Sequence, residues 1–511
     1  MAFEEMLKEL EERHTRALAM GGPEKIEKRR AQGVLNARER IDYLLDEGSF
    51  VESGRYAASI NKAVRHKTPG DGKLAGVGRI DGRPVALVSN DFTVMGASSS
   101  VVNMKKMRQM KKISIQRGMP LILLGESTGA RMPDRMGAQG RATLGQDPTE
   151  YRRMREAPMV SALLGQCYGS STWYTCMSDF SVMRKGSVMA VASSRVTAIA
   201  INQPVDAEDL GGWKLHAETT GLIDAVADTD EEAIDIIKTY LSYLPGHCME
   251  APPERSVPAG SDDGAKKILD ILPESRKRVY DMRAIIRALV DKDSLFELKP
   301  GFGQSIVTAF ARLGGKSIGI VANNPRHQGG AISVDAMRKA TSFLVQCDSF
   351  NVPLLFLVDQ PGFLIGIAGE RQAAPGKIIN WMNALTLVTV PKISVIVRKD
   401  YGQAYLNMGG GRNSDEVILW PTADLGFMDP EVGVSVLYNL KEEDDPERFR
   451  KLCAEIQRDT SAWDLAALYE GQMVIDPRDT RKVLIDLLAA HTLRLTNGIG
   501  EHLMRAWPTS Y

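Results

Sequence analysis

Leu121-Ile122-Leu123-Leu124-Gly125-Glu126-Ser127-Thr128-Gly129-Ala130-Arg131 is an apolar run that breaks into small residues. Leu354-Leu355-Phe356-Leu357-Val358-Asp359-Gln360-Pro361-Gly362-Phe363-Leu364 repeats that shape 233 positions later (354 minus 121). A short apolar run closed by glycine reads as a buried strand followed by a turn. Working outward, the offset persists. Ile80-Asp81-Gly82-Arg83 matches Leu313-Gly314-Gly315-Lys316, and the apolar residues that follow match as well. Pro158 and Val160 match Pro391 and Ile393, and Tyr168-Gly169 matches Tyr401-Gly402. Val101, Met104 and Lys106 stand 233 positions before Val334, Met337 and Lys339 (334 minus 101). An ungapped offset held over so many blocks points to two copies of one domain. The period is far too long for a solenoid.

Each copy alternates strand and helix patterns. Strands are expected at 85–89, 121–124 and near 158–164, with a helix over 101–117. Copy two gives strands at 318–322 and 354–358 and a helix over 335–347. Short apolar runs between helical windows predict an α/β fold with buried, largely parallel strands. The copies are expected to span 1–255 and 256–511, joined through the Pro-, Gly- and Ser-rich stretch 248–263. Residues 3–45 have helical periodicity. Residues 479–495 read as a terminal amphipathic helix with Asp479 as N-cap.

Composition narrows the classes. Sixty-four basic residues balance 64 acidic ones. That argues against holding nucleic acid or an anionic membrane by bulk charge. The five cysteines are scattered, with no Cys-x-x-Cys pair, so no zinc ribbon is expected and a reducing, cytoplasmic setting fits. The charged N-terminus has no apolar signal core. The charge-free stretch 157–178 is long enough to span a membrane, but its Gln166, Ser170, Ser171, Thr172 and Thr175 would be costly in lipid. It reads as a buried strand and turn.

The chemistry gathers at the turns. Gly129-Ala130-Arg131 and Gly169-Ser170-Ser171 follow strands in copy one. Pro361-Gly362-Phe363 and Gly402-Gln403-Ala404-Tyr405 follow them in copy two. Strand ends of open α/β sheets are where ligands bind, and turns entering helices present free N–H groups to a developing oxyanion.

With these motifs quoted, the chain resembles the carboxyltransferase (β) subunits of biotin-dependent acyl-CoA carboxylases, propionyl-CoA carboxylase β type, and the related acyl-CoA decarboxylase subunits. Further carriers are Ala37-Arg38-Glu39-Arg40-Ile41, Asp91-Phe92-Thr93-Val94, Glu208-Asp209-Leu210-Gly211-Gly212, Arg398-Lys399-Asp400-Tyr401-Gly402 and Trp420-Pro421-Thr422-Ala423. The resemblance implies tandem duplicated crotonase-like (ClpP/crotonase) domains, with acyl-CoA on the N-terminal copy and biotin on the C-terminal copy. It implies transfer of carboxylate from carboxybiotin to the carbon beside a CoA thioester. Partners would be a biotin carboxylase and a biotin carboxyl carrier protein, and the assembly a homo-oligomer, usually a hexamer, with sites between opposing subunits. Catalytic amides would be those of Gly169, Ser170, Gln403 and Ala404. Substrate contacts fall on Gly129, Ala130, Arg131, Trp173 and Leu406. Biotin contacts fall on Gly362, Phe363, Gly402 and Tyr405, and no metal is implied. The freed ureido nitrogen takes the α-proton in this chemistry, so no side-chain base is required.

The chain departs from the family pattern at both turns, with Ser170 and Gln403 where glycine is usual. A backbone donor survives that change only where φ is negative. A binding-only subunit that has lost catalysis is the reading those departures favour. A decarboxylase subunit shares the same site by microscopic reversibility. A serine hydrolase is the alternative suggested by Gly125-x-Ser127-x-Gly129, with His216 or His247 as base. Gly409-Gly410-Gly411-Arg412 reads as a flexible turn or a phosphate cradle. Lys105, Lys106, Arg108, Lys111 and Lys112 read as a solvated helix face or a contact for CoA phosphates. Ala336-Met337-Arg338-Lys339 lacks the Lys-Met of a biotinylation site and lies mid-helix. With no Walker A pattern and no ATP-grasp-like region, the chain is not expected to carboxylate biotin by itself.

Overall fold

In the computed structural model, which describes residues 2–142, 150–493 and 496–508, the chain divides into two compact units, Met1–Met249 and Glu250–Tyr511. Unit one holds β1 Val51–Ser53, β2 Lys73–Ile80, β3 Arg83–Asn90, β4 Leu121–Ser127, β5 Met159–Tyr168, β6 Phe180–Arg184, β7 Val188–Ala190 and β8 Ala225–Ala227. Their order in the sheet is β1-β2-β3-β4-β5-β6-β8, with β7 paired to β5. Unit two holds β9 Phe296–Leu298, β10 Ile306–Leu313, β11 Lys316–Asn323, β12 Leu354–Gln360, β13 Lys392–Tyr401, β14 Glu416–Leu419, β15 Asp424–Gly426 and β16 Met473–Val474. Its order mirrors the first, β9-β10-β11-β12-β13-β14-β16, with β15 on β13.

The repeat holds at the level of register. Ala86 sits opposite Leu121, and Gly319 sits opposite Leu354. Both sheets carry an irregularity at one matching place, between Gly125 and Ser127 in one and between Val358 and Gln360 in the other. The core strands from β3 to β6 and from β11 to β14 are parallel, as expected for strands buried on both faces. The edges were not foreseen: β1-β2-β3 and β9-β10-β11 are antiparallel meanders, because Asp81-Gly82 and Gly314-Gly315 close two-residue hairpins at positive φ.

The helices follow the periodicity. Val101–Arg117 starts on a Ser100–Asn103 capping box, and Val334–Ser349 starts on a Ser333 cap. The charge-free stretch folds as β5 and then a helix, Ser170–Met177, where only a turn was expected. No helix among the described residues is long and apolar enough to cross a membrane. Asp479 stands at the N-cap position of the Thr480–Thr492 helix, as expected, but its side chain makes no cap bond; the side-chain cap comes one turn earlier, where Asp476 accepts from the Arg478 amide and opens a short 3-10 turn. Residues 494 and 495 of the expected helix lie outside the described residues.

Two lysines on these helices behave alike. Lys106 and Lys339 are buried, although Lys106 belongs to the run read as a solvated face or a CoA contact. The Lys106 ammonium donates to the carbonyls of Gly54, Gly70 and Lys73. That of Lys339 donates to Lys299, Phe302 and Ile306 at 2.9, 3.0 and 2.8 Å. Three carbonyls match the three donors of an ammonium. Each lysine thereby pins to its helix the loop that leads into β2 or β10, whose first residue supplies one of the carbonyls.

Candidate active site

In unit one the two turns of interest lie against each other. A Cβ built on Gly169 would stand 3.7 Å from the Gly129 Cα. Ser99 ties them together: its amide donates to Gly129 O at 2.8 Å, its carbonyl accepts from the Arg131 amide at 2.9 Å, and its hydroxyl lies 2.6 Å from the Ser170 hydroxyl. Gly169 adopts φ 65 and ψ −124 at the N-cap of the Ser170–Met177 helix, a conformation open in practice only to glycine. The first N–H groups of a helix have no intrahelical acceptor, and Trp173 is the first residue here to find one, at Gly169 O. The Ser170 amide is thus left without a backbone acceptor, and so is the Ala130 amide, which sits between two bonded neighbours, Gly129 and Arg131.

Unit two builds the same pair. Ile332 takes the place of Ser99, accepting from the Leu364 amide at 2.9 Å and donating to Gly362 O at 3.0 Å. Gly402 has φ 66, and its own amide is held by Gly426 O at 2.9 Å. Gln403 follows at φ −71 and ψ −13, and Ala404 opens the Ala404–Asn407 helix. Neither Ser170 nor Ser171 in unit one, nor Gln403 or Ala404 here, has positive φ. The positions that need glycine, 169 and 402, have it, so the departures from the family pattern carry no backbone strain.

Other residues are placed differently from the expectation. Arg131 is buried, and its guanidinium is taken up inside the protein by Asp71, Ser98 and the Asp71 carbonyl. It clamps the loop that bears Gly129 and Ala130 and presents no charge to a ligand. Trp173 is partly exposed one turn into its helix, and Leu406, at the matching position of unit two, is half-buried. The Gly409-Gly410-Gly411 run is neither a flexible loop nor a phosphate cradle. A Cβ on Gly410 would stand 2.1 Å from the Tyr405 ring, and one on Gly411 would stand 2.4 Å from the Leu406 Cδ2. The run is glycine because Tyr405 and Leu406 lie on it.

The hydrolase alternative fails on geometry. Ser127 is the last residue of β4, fully buried, donating to Ala97 O at 3.3 Å and accepting from the Gly129 amide at 3.2 Å. His216 Nε2 lies 2.8 Å from Met189 O, and His247 Nδ1 accepts from the Met249 amide. Neither ring addresses Ser127.

A buried layer lies under each site. Glu126 takes Arg40 at 2.9 Å and Arg29, while Asp359 takes Arg398 and the Tyr280 hydroxyl at 2.9 Å each. Asp400, just before the Gly402 turn, accepts from Gln360 Nε2 at 2.5 Å. Burial, with Asp359 nearby, pushes the Asp400 carboxyl up to about 7. Sequence reading missed this pair and the buried lysines. The signal was present in the repeat, which carries Lys106 and Lys339 at one position. Among the described residues no group of three or more His, Cys, Asp or Glu side chains is arranged to hold a metal ion.

Residues 28–497 match the family described as carboxyl transferase domain. The chain is 35% identical over 498 residues to the propionyl-CoA carboxylase carboxyltransferase subunit of Haloferax mediterranei, covering 95% of this chain and 96% of that one. It is 32% identical to the methylmalonyl-CoA decarboxylase subunit alpha of Veillonella parvula, covering 95% and 96%. The crystal structure of the transcarboxylase 12S hexamer, with methylmalonyl-coenzyme A and methylmalonic acid bound, superimposes with a TM-score of 0.89 at 32% identity, covering 96% of both chains. The chain belongs to the carboxyl transferase family, among the carboxyltransferase (β) subunits of biotin-dependent acyl-CoA carboxylases. Its two units are the family's tandem crotonase-like domains, and it is an enzyme that transfers carboxylate to an acyl-CoA.

Proposed function

We propose that the Gly169 turn of the N-terminal unit holds the acyl-CoA thioester and that the Gly402 turn of the C-terminal unit holds biotin. The observation that carries this reading is the doubled motif: two glycine turns of one geometry, each opening a helix beside a second strand-end loop. In unit one the amides of Ser170 and Ala130 donate to the thioester oxygen as the α-carbon becomes an enolate. Gly169 sets the turn, and Gly129 allows the two loops to approach. Preorganised donors of this kind each lower the barrier by about 2.7–4 kcal/mol. In unit two the amides of Gln403, Ala404 and Phe363 fit the ureido oxygen of biotin. Gly362, Gly402 and Tyr405 shape that turn, and the exposed Phe427 and Ile365 offer apolar surface. Carboxybiotin, brought on a partner carrier, would supply the carboxylate. Trp173 and Leu406 border the acyl group, with Arg131 holding the loop beneath it.

The chain works with a biotin carboxylase and a biotin carboxyl carrier protein in the cytoplasm, since it carries no ATP-binding pattern of its own. It assembles as a hexamer with sites completed between opposing subunits. The helices Ser194–Ile201 and Pro430–Tyr438 support self-association. They follow β7 and β15 at matching places, and both expose apolar residues: Val196, Ile199 and Ile201 on one, Val432, Val436 and Leu437 on the other. Carboxylation and decarboxylation would use the same site in opposite directions.

The test is reconstitution with a carboxylated carrier and two variants, Gly169→Ala and Gly402→Ala. Both positions have positive φ, so both variants lose a donor turn and transfer falls about 10²–10³-fold. Gly169→Ala weakens acyl-CoA binding, and Gly402→Ala raises the KM for the carrier. The opposite pairing would reverse the assignment of the units.

A further inference from the structure

The hydroxyls of Ser99 and Ser170 lie 2.6 Å apart beside the Gly169 turn. Among the described residues neither hydroxyl has a second hydrogen-bond partner. Their surroundings differ. Ser99 is 7% exposed, whereas Ser170 is half-buried at the start of its helix. Either hydroxyl could donate to the other, but a buried hydroxyl proton that points elsewhere is left unsatisfied, at a cost. Ser99 therefore donates and Ser170 accepts. The proton of the Ser170 hydroxyl is then free, on the residue whose amide also lacks a backbone acceptor.

The turn does not need this pair in order to form. The matching residues of unit two are Ile332 and Gln403, which carry no hydroxyl (332 minus 99 and 403 minus 170 are both 233). Ile332 still makes the two backbone bonds that Ser99 makes, at 2.9 and 3.0 Å. The loops thus come together without hydroxyls in one unit, and the pair is an addition particular to the other.

We propose that the Ser170 hydroxyl is a catalytic group of the acyl-CoA side. It donates to the thioester oxygen as that oxygen gains charge in the enolate, a third donor beside the Ser170 and Ala130 amides. Ser99 is a positioning residue: by filling one lone pair of the Ser170 oxygen it turns the remaining proton away from itself and toward the substrate. The hydroxyl keeps its proton throughout, so it stabilises the enolate without being the base that removes the α-proton. A donor whose bond strengthens as charge develops acts on kcat more than on binding. The inference rests on the assignment of the Gly169 turn to acyl-CoA.

Steady-state kinetics of the complex reconstituted with a carboxylated carrier tests it, with the best substrate among acetyl-, propionyl-, butyryl- and hexanoyl-CoA. Ser170→Ala removes the hydroxyl and keeps the amide. Its kcat is expected to fall about tenfold or more, the scale of one hydrogen bond to a charged group, with KM and the urea unfolding midpoint little changed. Ser99→Ala leaves the Ser170 proton in place but unaimed, so its kcat should fall by a clearly smaller factor. A mere tie between the loops would be broken equally by either variant, so equal falls in kcat overturn the proposal. So does a Ser170→Ala variant that keeps the wild-type kcat. Gly169→Ala in the same assay separates the inference from the reading beneath it. If transfer survives Gly169→Ala, the assignment of the turn fails and the inference fails with it. If Gly169→Ala stops transfer and Ser170→Ala does not slow it, the assignment stands and the hydroxyl has no part in it.

Discussion

Strands β2 to β5 of unit one and β10 to β13 of unit two match at one offset of 233 residues, yet the buried layers beneath the two turns differ. Where unit one has Ser127 and Cys167, unit two has Gln360 and Asp400, hydrogen-bonded to each other under the Gly402 turn. Where unit one has Lys73, unit two has Ile306. The turns themselves and the lysines that pin the loops are common to both. Duplication kept what sets backbone geometry and let the buried layer beneath each turn diverge. On the proposed assignment, the shared part answers to one demand, backbone donors at a strand end, and the divergent part to two different ligands.

The largest expected effect tests the shared part. Lys106→Met and Lys339→Met each leave three backbone carbonyls without their donor in a buried setting. An unsatisfied buried group costs about 1–3 kcal/mol, so three of them set a loss of roughly 3–9 kcal/mol for each variant, reduced by any water that enters. Urea or guanidinium unfolding of the two variants measures it. Losses of similar size would support a single structural role in both copies. A variant that loses less than about 1 kcal/mol, well below the cost of three unsatisfied groups, would show that its cage is not structural.

Those lysines also mark where sequence reading stops. The repeat, the strands around 121–124 and 354–358, and the glycine turns were legible because they rest on local pattern: apolar runs, offsets, positive-φ residues. Lys106 was read with its charged neighbours as a solvated face, because charge on a helix ordinarily means water. Its cage comes from Gly54, Gly70 and Lys73, far away in the chain, and no local pattern announces that meeting. Arg131 failed for the same reason. It looked like a ligand contact until Asp71, sixty residues away, was seen to hold it. The glycines at 409–411 looked flexible because the sequence does not show the Tyr405 ring lying on them.

A smaller effect tests the divergent part. Burial holds the Asp400 carboxyl up at about 7, whereas an unfolded aspartate titrates near 3.9. Between those values the folded state binds the extra proton, so this group's contribution to stability falls as pH rises from about 4 to about 7. Above that range the folded state carries an ion it holds poorly. Asp400→Asn keeps an acceptor for Gln360 and removes the charge. Its expected outcome is a gain of about 1–3 kcal/mol at pH 8 that shrinks toward zero near pH 4, read from denaturant midpoints across that range. In unit one the matching Cys167 is buried and its thiol is pushed up, so it stays uncharged throughout and Cys167→Ser should leave that pH slope unaltered. A flat difference between Asp400→Asn and wild type would mean that Asp400 is paired as an ion after all.

The smallest expected effect concerns the residue after the second turn. Leu406 and Trp173 occupy one position in the two copies, each a step past its glycine turn, and neither is fully buried. Leu406 rests on Gly411, where a Cβ would come within 2.4 Å of its Cδ2, so its side chain is held to one place and does not sweep the surface. A fixed apolar group beside the site selects by size and polarity, and one methylene of fit in such a pocket is worth about 1–3 kcal/mol, or roughly 10–200-fold in kcat/KM. If Leu406 borders the acyl group, as proposed above, the residue at this position helps to set which acyl group fits. Leu406→Asp should therefore shift the ratio of kcat/KM between short and longer acyl-CoA substrates by at least about tenfold, the low end of that range. Selectivity is the informative readout, because an aspartate that merely loosened the Gly411 contact would slow every substrate by one common factor. A common factor would assign Leu406 to packing alone and leave acyl selection to unit one.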